Sequence, residues 1–148
     1  MAGYSGTPLL KKLGYKPGQR ALYAHVPKAL QTGLTLPDFA SLAYVEGAKG
    51  WPKGRRDVVH IFADSAKMLA AQLACARKVV ADDGMIWVSW PKKASKVPTD
   101  ITEQTIRDLA FPLKLVDVKV CAVDEVWSGL KLVVPVKDRA TPKKAGAR

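Results

Sequence analysis

The stretch Gly84-Met-Ile-Trp-Val-Ser-Trp-Pro-Lys-Lys-Ala-Ser95 places an indole, two ammonium groups and a hydroxyl at the end of an apolar run. A second set, Asp124-Glu125 with Trp127-Ser128, falls at a later chain reversal, and His25 closes an early apolar run. Lys92 and Lys93 are suited to holding an anion, the more so if a following helix N-terminus adds partial positive charge. Asp124 and Glu125 are suited to acid–base work beside them. Trp90 and Trp127 could form a stacking platform next to cations, as in proteins that bind single strands. Each group also has a plain structural role. The lysines suit a solvated loop, adjacent acids suit a turn, and the two indoles suit the packing of a sheet edge. His60, between Val59 and Ile61, is expected to be a hydrogen-bonded core histidine, which leaves His25 as the proton carrier.

These groups need a frame. Arg20–Val26 is an apolar run entered through Lys16-Pro17-Gly18 and stopped by Pro27, as a strand bounded by turns would be. Pro37–Glu46 reads as a short helix, with Phe39, Leu42, Ala43 and Val45 near one face and Gly47 closing it. Asp57–Ala63 is apolar on both alternating faces, as a strand covered on both sides is. Asp64 and Ser65 can cap a helix over Ala66–Ala81, in which Leu69, Leu73, Ala76 and Val80 recur at threes and fours. Gly84–Trp90 is the next strand, and Asp100 with Glu103 suggests a capping box for a helix that stops at Phe111-Pro112. Lys114–Val123 and Leu130–Val136 are strands joined by a turn short enough only for an antiparallel hairpin.

This alternation predicts an α/β fold, a mostly parallel sheet with helices on both faces and a C-terminal antiparallel hairpin. The order resembles the last half of the methyltransferase-type Rossmann-like fold. In such a sheet, ligands bind beyond the carboxyl ends of the strands, where His25, Asp64, Ser65, Trp90, Lys92, Lys93 and Ser95 would gather, joined by Asp124, Glu125, Trp127 and Ser128 if the next strand is also parallel. The glycine-rich loop that such folds place after the first strand is missing. Its position reads Ala24-His-Val-Pro-Lys-Ala-Leu30, and no acid closing a second strand is evident. The sequence therefore argues against a dinucleotide or S-adenosylmethionine enzyme, and no cofactor is expected.

A chain of 148 residues with 48% apolar and 25% charged residues is expected to fold as one domain with its own core. Residues 1–19 read as an N-terminal arm packing on the domain, 20–137 as the Rossmann-like domain, and 138–148 as a disordered basic tail. The net charge of +11 is concentrated at the ends, with +4 in residues 1–20 and +4 in 137–148. Such termini make weak, non-specific contact with nucleic acid one expectation. Cys75 and Cys121 have no Cys or His at metal-ligand spacing, so reduced thiols and no metal are expected. No apolar run approaches a membrane span, and the N-terminus has the reverse order of a signal peptide, so the cytoplasm is the expected location.

Three segments carry a further resemblance. Gly3–Gly14 with Pro17-Gly18, then Trp90–Ser95 with Thr99-Asp100, then Val116–Asp124 with Trp127–Leu130, resemble a family of small bacterial proteins catalogued as domain of unknown function 3052. The resemblance implies a bacterial cytoplasmic protein and no particular activity. It also implies that the three segments meet in space, which would bring Tyr4, Ser5 and Thr7 to the rim that carries Lys92, Lys93, Asp124 and Trp127. From all this the leading expectation is a non-catalytic module that binds an anionic ligand or a protein partner at that rim. A small enzyme using a lysine with Asp124 or Glu125, and non-specific nucleic-acid binding through the termini, are the alternatives.

Overall fold

The computed structural model describes residues 9–28, 30 and 37–139, with backbone alone at 9 and 10. Tyr4, Ser5, Thr7 and the tail beyond Arg139 lie outside the described residues.

The chain forms one six-stranded sheet. Strands β1 (Arg20–Ala24), β2 (Ser41–Val45), β3 (Arg56–Phe62) and β4 (Val80–Pro91) are parallel, and β6 (Trp127–Val133) runs antiparallel between β4 and β5 (Val116–Ala122). The spatial order is β2-β1-β3-β4-β6-β5. Helix α1 (Leu9–Leu13) precedes the sheet, α2 (Ala66–Val79) links β3 to β4, and α3 (Glu103–Ala110) links β4 to β5. This is the α/β class expected from the sequence, a mostly parallel sheet ending in an antiparallel hairpin.

Both alternating sets of side chains are buried along β1, β3 and β4, which is why these segments read as continuous apolar runs. On one face Leu22, Val59, Ile61, Ile86 and Val88 pack against Leu69, Leu73 and Ala76 of α2 and Ile106 and Ala110 of α3. On the other face Ala21, Tyr23, Val58, Met85 and Trp87 pack against Leu13 and Tyr15. The indole of Trp87 donates to the Leu13 carbonyl at 2.7 Å, fixing the end of α1 to the sheet.

His60 lies at the centre of that second face, fully buried. Its Nδ1 is 2.5 Å from the Tyr15 hydroxyl, its Nε2 is 2.7 Å from Ser89 Oγ, and its ring stacks on Phe62. Burial pushes its pKa down to about 3, so it is a neutral core histidine, as expected.

Three local features differ from expectation. Ser41–Val45 is a strand, not part of a helix, and pairs in register along the whole of β1. Helix α2 ends at Val79 and β4 begins at once, because Val80 pairs with Arg56 before the register shifts toward Met85. That shift brings Gly84 against the backbone of β3, where a β-carbon would stand 2.9 Å from the Asp57 carbonyl oxygen. Finally, α3 is capped by Thr102 and Thr105, which bond to each other's backbone N–H at 3.2 and 3.1 Å. Asp100 instead accepts from the Ala66 N–H at 2.7 Å, adding a second cap to α2 beside the bond from Met68 N–H to Ser65. Glu103 pairs with Arg107, which also bridges to Asp117.

Candidate functional site at the strand carboxyl ends

At the end of β1 the chain turns at His25, whose φ of 59° lies in the left-handed region where glycine is favoured. The His25 N–H donates to the Val45 carbonyl at 2.7 Å, tying this turn to the end of β2. The next residue of the β2 branch is Glu46. Its Oε1 stands 3.6 Å from His25 Nδ1, and its side chain is 90% exposed. A carboxylate thus projects from the end of the second strand, beside the turn that follows the first.

The loop after Glu46 is anchored. The Trp51 indole donates to the Gly47 carbonyl at 2.6 Å, and the Cys75 thiol donates to the Ala48 carbonyl at 3.3 Å. Between this loop and the start of α2 lies a cavity of about 590 Å³, lined by Glu46, Ala48, Ser65, Met68 and Ala71 among others. Its α2 wall is held by the Ser65 and Asp100 caps, and Thr99 adds a bond from its hydroxyl to the Asp64 carbonyl at 2.8 Å.

A second cleft, of about 680 Å³, opens past the end of β4 between Trp90, Lys93 and Lys96 on one side and Ile101, Thr102 and Glu103 on the other. Lys93–Ser95 forms one short turn, with the Ser95 hydroxyl donating to the Lys92 carbonyl at 2.6 Å and Lys96 left-handed at φ 64°. The lysines therefore follow β4 and do not sit in the first turn of α3.

The other expected site residues lie together where β4 meets β6, the Lys92 N–H donating to the Val126 carbonyl at 2.7 Å, but they do not form the site expected of them. Trp90 is buried in the core on the α2 face. Trp127 pairs with Pro91 on the opposite face, with its ring edge-on to Phe62 at 5.4 Å. The two indoles cannot form one stacking platform. Asp124 accepts from the N–H groups of Val126 and Trp127 at 2.8 and 2.7 Å, which is turn chemistry. Glu125 is exposed and Ser128 half-buried opposite Trp90. Among the described residues no ion pair joins Lys92 or Lys93 to Asp124 or Glu125. At the ends of β1 and β2 the expected residue is His25, and its partner Glu46 was missed. The signal was present in Leu42-Ala-Tyr-Val45, an apolar run rich in strand-forming residues and followed at once by Glu-Gly.

No family model matches the chain, and no curated protein matches it. Solved structures do. A SAM-dependent methyltransferase from Aquifex aeolicus superposes with a TM-score of 0.65 at 12% identity, over 85% of this chain and 87% of that one. A TehB-like SAM-dependent methyltransferase from Corynebacterium glutamicum gives 0.60 at 9% identity, over 84% and 85%. NcsB1, an O-methyltransferase from neocarzinostatin biosynthesis in complex with S-adenosylmethionine and a naphthoic acid, gives 0.62 at 10% identity, over 78% and 49%. At these identities the fold is what is shared. These matches overturn the expectation of a non-catalytic anion-binding module. The framework that module was built on is the one that these enzymes use, and their likeness covers most of the chain.

Proposed function

We propose that the chain binds S-adenosylmethionine across the carboxyl ends of β1, β2 and β3, and transfers its methyl group to an acceptor held in the cleft past β4. The observation that carries this is Glu46. An exposed carboxylate at the end of the second strand, beside the turn after the first, is what a parallel α/β sheet uses to accept hydrogen bonds from ribose hydroxyls. The adjoining cavity of about 590 Å³ is within the size range of ligand sites, roughly 300–1,000 Å³. Ala48, Met68 and Ala71 give it an apolar lining suited to a nucleobase.

The missing glycine loop was the sequence's argument against such a ligand. His25 answers part of it, since its backbone already adopts the left-handed turn that glycine would supply. Its side chain is directed to Glu46, not folded back over the β1 end.

S-adenosylmethionine would supply a methyl group on a positively charged sulfonium. As the sulfur–methyl bond breaks and the acceptor–methyl bond forms, neutral S-adenosylhomocysteine leaves without needing a proton, and an oxygen or nitrogen acceptor gives up its own proton to solvent. The chain's work is then to position two reactants and exclude water, which demands no nucleophile motif. Glu46 would orient the ribose, Met68 and Ala71 would shield the base, and the caps on α2 would keep that wall fixed. The unpaired thiols of Cys75 and Cys121 support a reducing compartment such as the bacterial cytoplasm. No helix among the described residues is long and apolar enough to cross a membrane. Membership of the small bacterial family that the sequence resembles would extend the same proposal to its other members.

Calorimetric titration with S-adenosylhomocysteine tests the proposal. Saturable binding is expected, weakened about ten-fold or more by Glu46→Ala, the loss of a charge-assisted hydrogen bond. Absence of binding to the unmodified chain would overturn it.

A further inference from the structure

On the sheet face beside α1, in a cavity that opens toward the amino ends of the strands and away from Glu46, lies a separate concentration of charge. Lys119 of β5 and Lys131 of β6 are direct cross-strand partners. Like charges so placed destabilise a sheet unless something compensates them. Lys119 donates from Nζ to the Lys12 carbonyl at 2.8 Å, an uncharged acceptor. Among the described residues neither lysine forms an ion pair, nor does Lys16. Lys131 is half-buried, and burial together with Lys119 and Lys16 holds its pKa below the usual lysine value. It is a cation in want of a counter-charge.

A cavity of about 340 Å³ opens beside it, lined by Gly14, Lys16, Gln19, Lys131 and Arg139, with Asp57 and Asp83 also at its border. Asp57 is already neutralised by Arg20, through side-chain bonds of 3.0 and 3.1 Å. Asp83 alone then stands against Lys16, Lys131 and Arg139. The Arg139 Nε donates to the Val134 carbonyl at 3.0 Å, which holds the guanidinium at the rim.

We propose that this cleft binds a phosphate group, with Lys131 and Lys16 as the principal ligands and Arg139 closing over it. Ammonium groups act here as point charges and the guanidinium as a planar fork, the combination that suits a tetrahedral dianion. The phosphate can come from a small phosphorylated molecule or from a nucleic-acid backbone. The site stands apart from the nucleoside proposal, because it shares none of that cavity's residues.

The test uses the full chain, melted in inorganic phosphate and in chloride at equal ionic strength. Phosphate is expected to raise the melting temperature beyond chloride. Lys131→Met should remove that increment and melt higher than the parent in chloride, since one member of a like-charge pair is gone. Lys16→Gln, an exposed change that does not threaten folding, should weaken the phosphate response about ten-fold. Anisotropy with a labelled thymidylate oligonucleotide separates the sources. Weaker oligonucleotide binding in both variants, with competition by phosphate, identifies the nucleic-acid backbone, whereas indifference of the oligonucleotide to both variants identifies a small phosphorylated ligand. An equal phosphate response in the parent chain and both variants, or no increment over chloride in the parent, would overturn the site.

Discussion

His25 Nδ1 and Glu46 Oε1 stand 3.6 Å apart, joining the ends of two neighbouring parallel strands that are separated by more than a turn of sequence. The backbone reinforces the contact through the bond from His25 N–H to the Val45 carbonyl. The turn and the carboxylate are therefore positioned by the same pair of strands, and the role of each can be tested separately.

His25→Gly should leave the melting temperature unchanged or raise it, because glycine adopts φ near 59° without the cost a side chain incurs there, about 1–2 kcal/mol. His25→Val should lower it, since a β-branched residue tolerates that region worst. A large loss on changing to glycine would mean that the imidazole, not the turn, is what this position requires.

The Tyr15–His60–Ser89 chain predicts a pH dependence. His60 has a folded pKa lowered to about 3 from 6.5, so below pH 6.5 the unfolded chain takes up a proton that the folded chain refuses. Stability is then fully present above pH 6.5 and falls as pH drops toward 3, by up to ~1.4 kcal/mol per pH unit. Denaturant unfolding at pH 7 and pH 5 should show this loss, and His60→Gln should flatten it. The Asp57 carboxyl, held below its ordinary range by hydrogen bonds from Arg20, adds to the loss only at the acid end of this window, below the pH 5 to 7 comparison. Tyr15→Phe should cost about 1–3 kcal/mol at pH 7 by leaving the buried Nδ1 without its partner.

The cap exchange at the α2–α3 junction gives another expectation. Asp100→Ala should destabilise by about 1 kcal/mol through α2, not α3, because its carboxylate serves the Ala66 N–H. Amide exchange would show it, with protection lost at Ala66–Met68 and kept at Glu103–Thr105. Thr102→Ala should give the reverse pattern.

Much of this was legible in the chain. The continuous apolar runs of β1, β3 and β4 announced strands covered on both faces, and Leu69, Leu73 and Ala76 announced the helix that covers one of them. Segment Ser41–Val45 was not legible in the same way. Phe39, Leu42 and Val45 satisfy a helical spacing, while β2 is an edge strand with only Val45 buried, so its alternation is faint. Misreading that strand hid Glu46, because an acid closing a strand cannot be seen before the strand is. Asp124 and the two indoles looked chemical for a different reason. Turn carboxylates and core tryptophans use the same residue types as sites do, and only the hydrogen bonds from Val126 and Trp127 and the opposite facing of Trp90 and Trp127 separate them.

The most direct measurement is site-resolved. Backbone amide shifts of the full chain should be followed while S-adenosylhomocysteine is added. If the ligand lies across the ends of β1, β2 and β3, the largest changes will fall at His25, at Glu46 to Lys49 and at Ser65 to Ala71, and they will shrink together in Glu46→Ala. Shifts confined to the cleft around Lys16 and Lys131, or none at saturating ligand, would contradict the account.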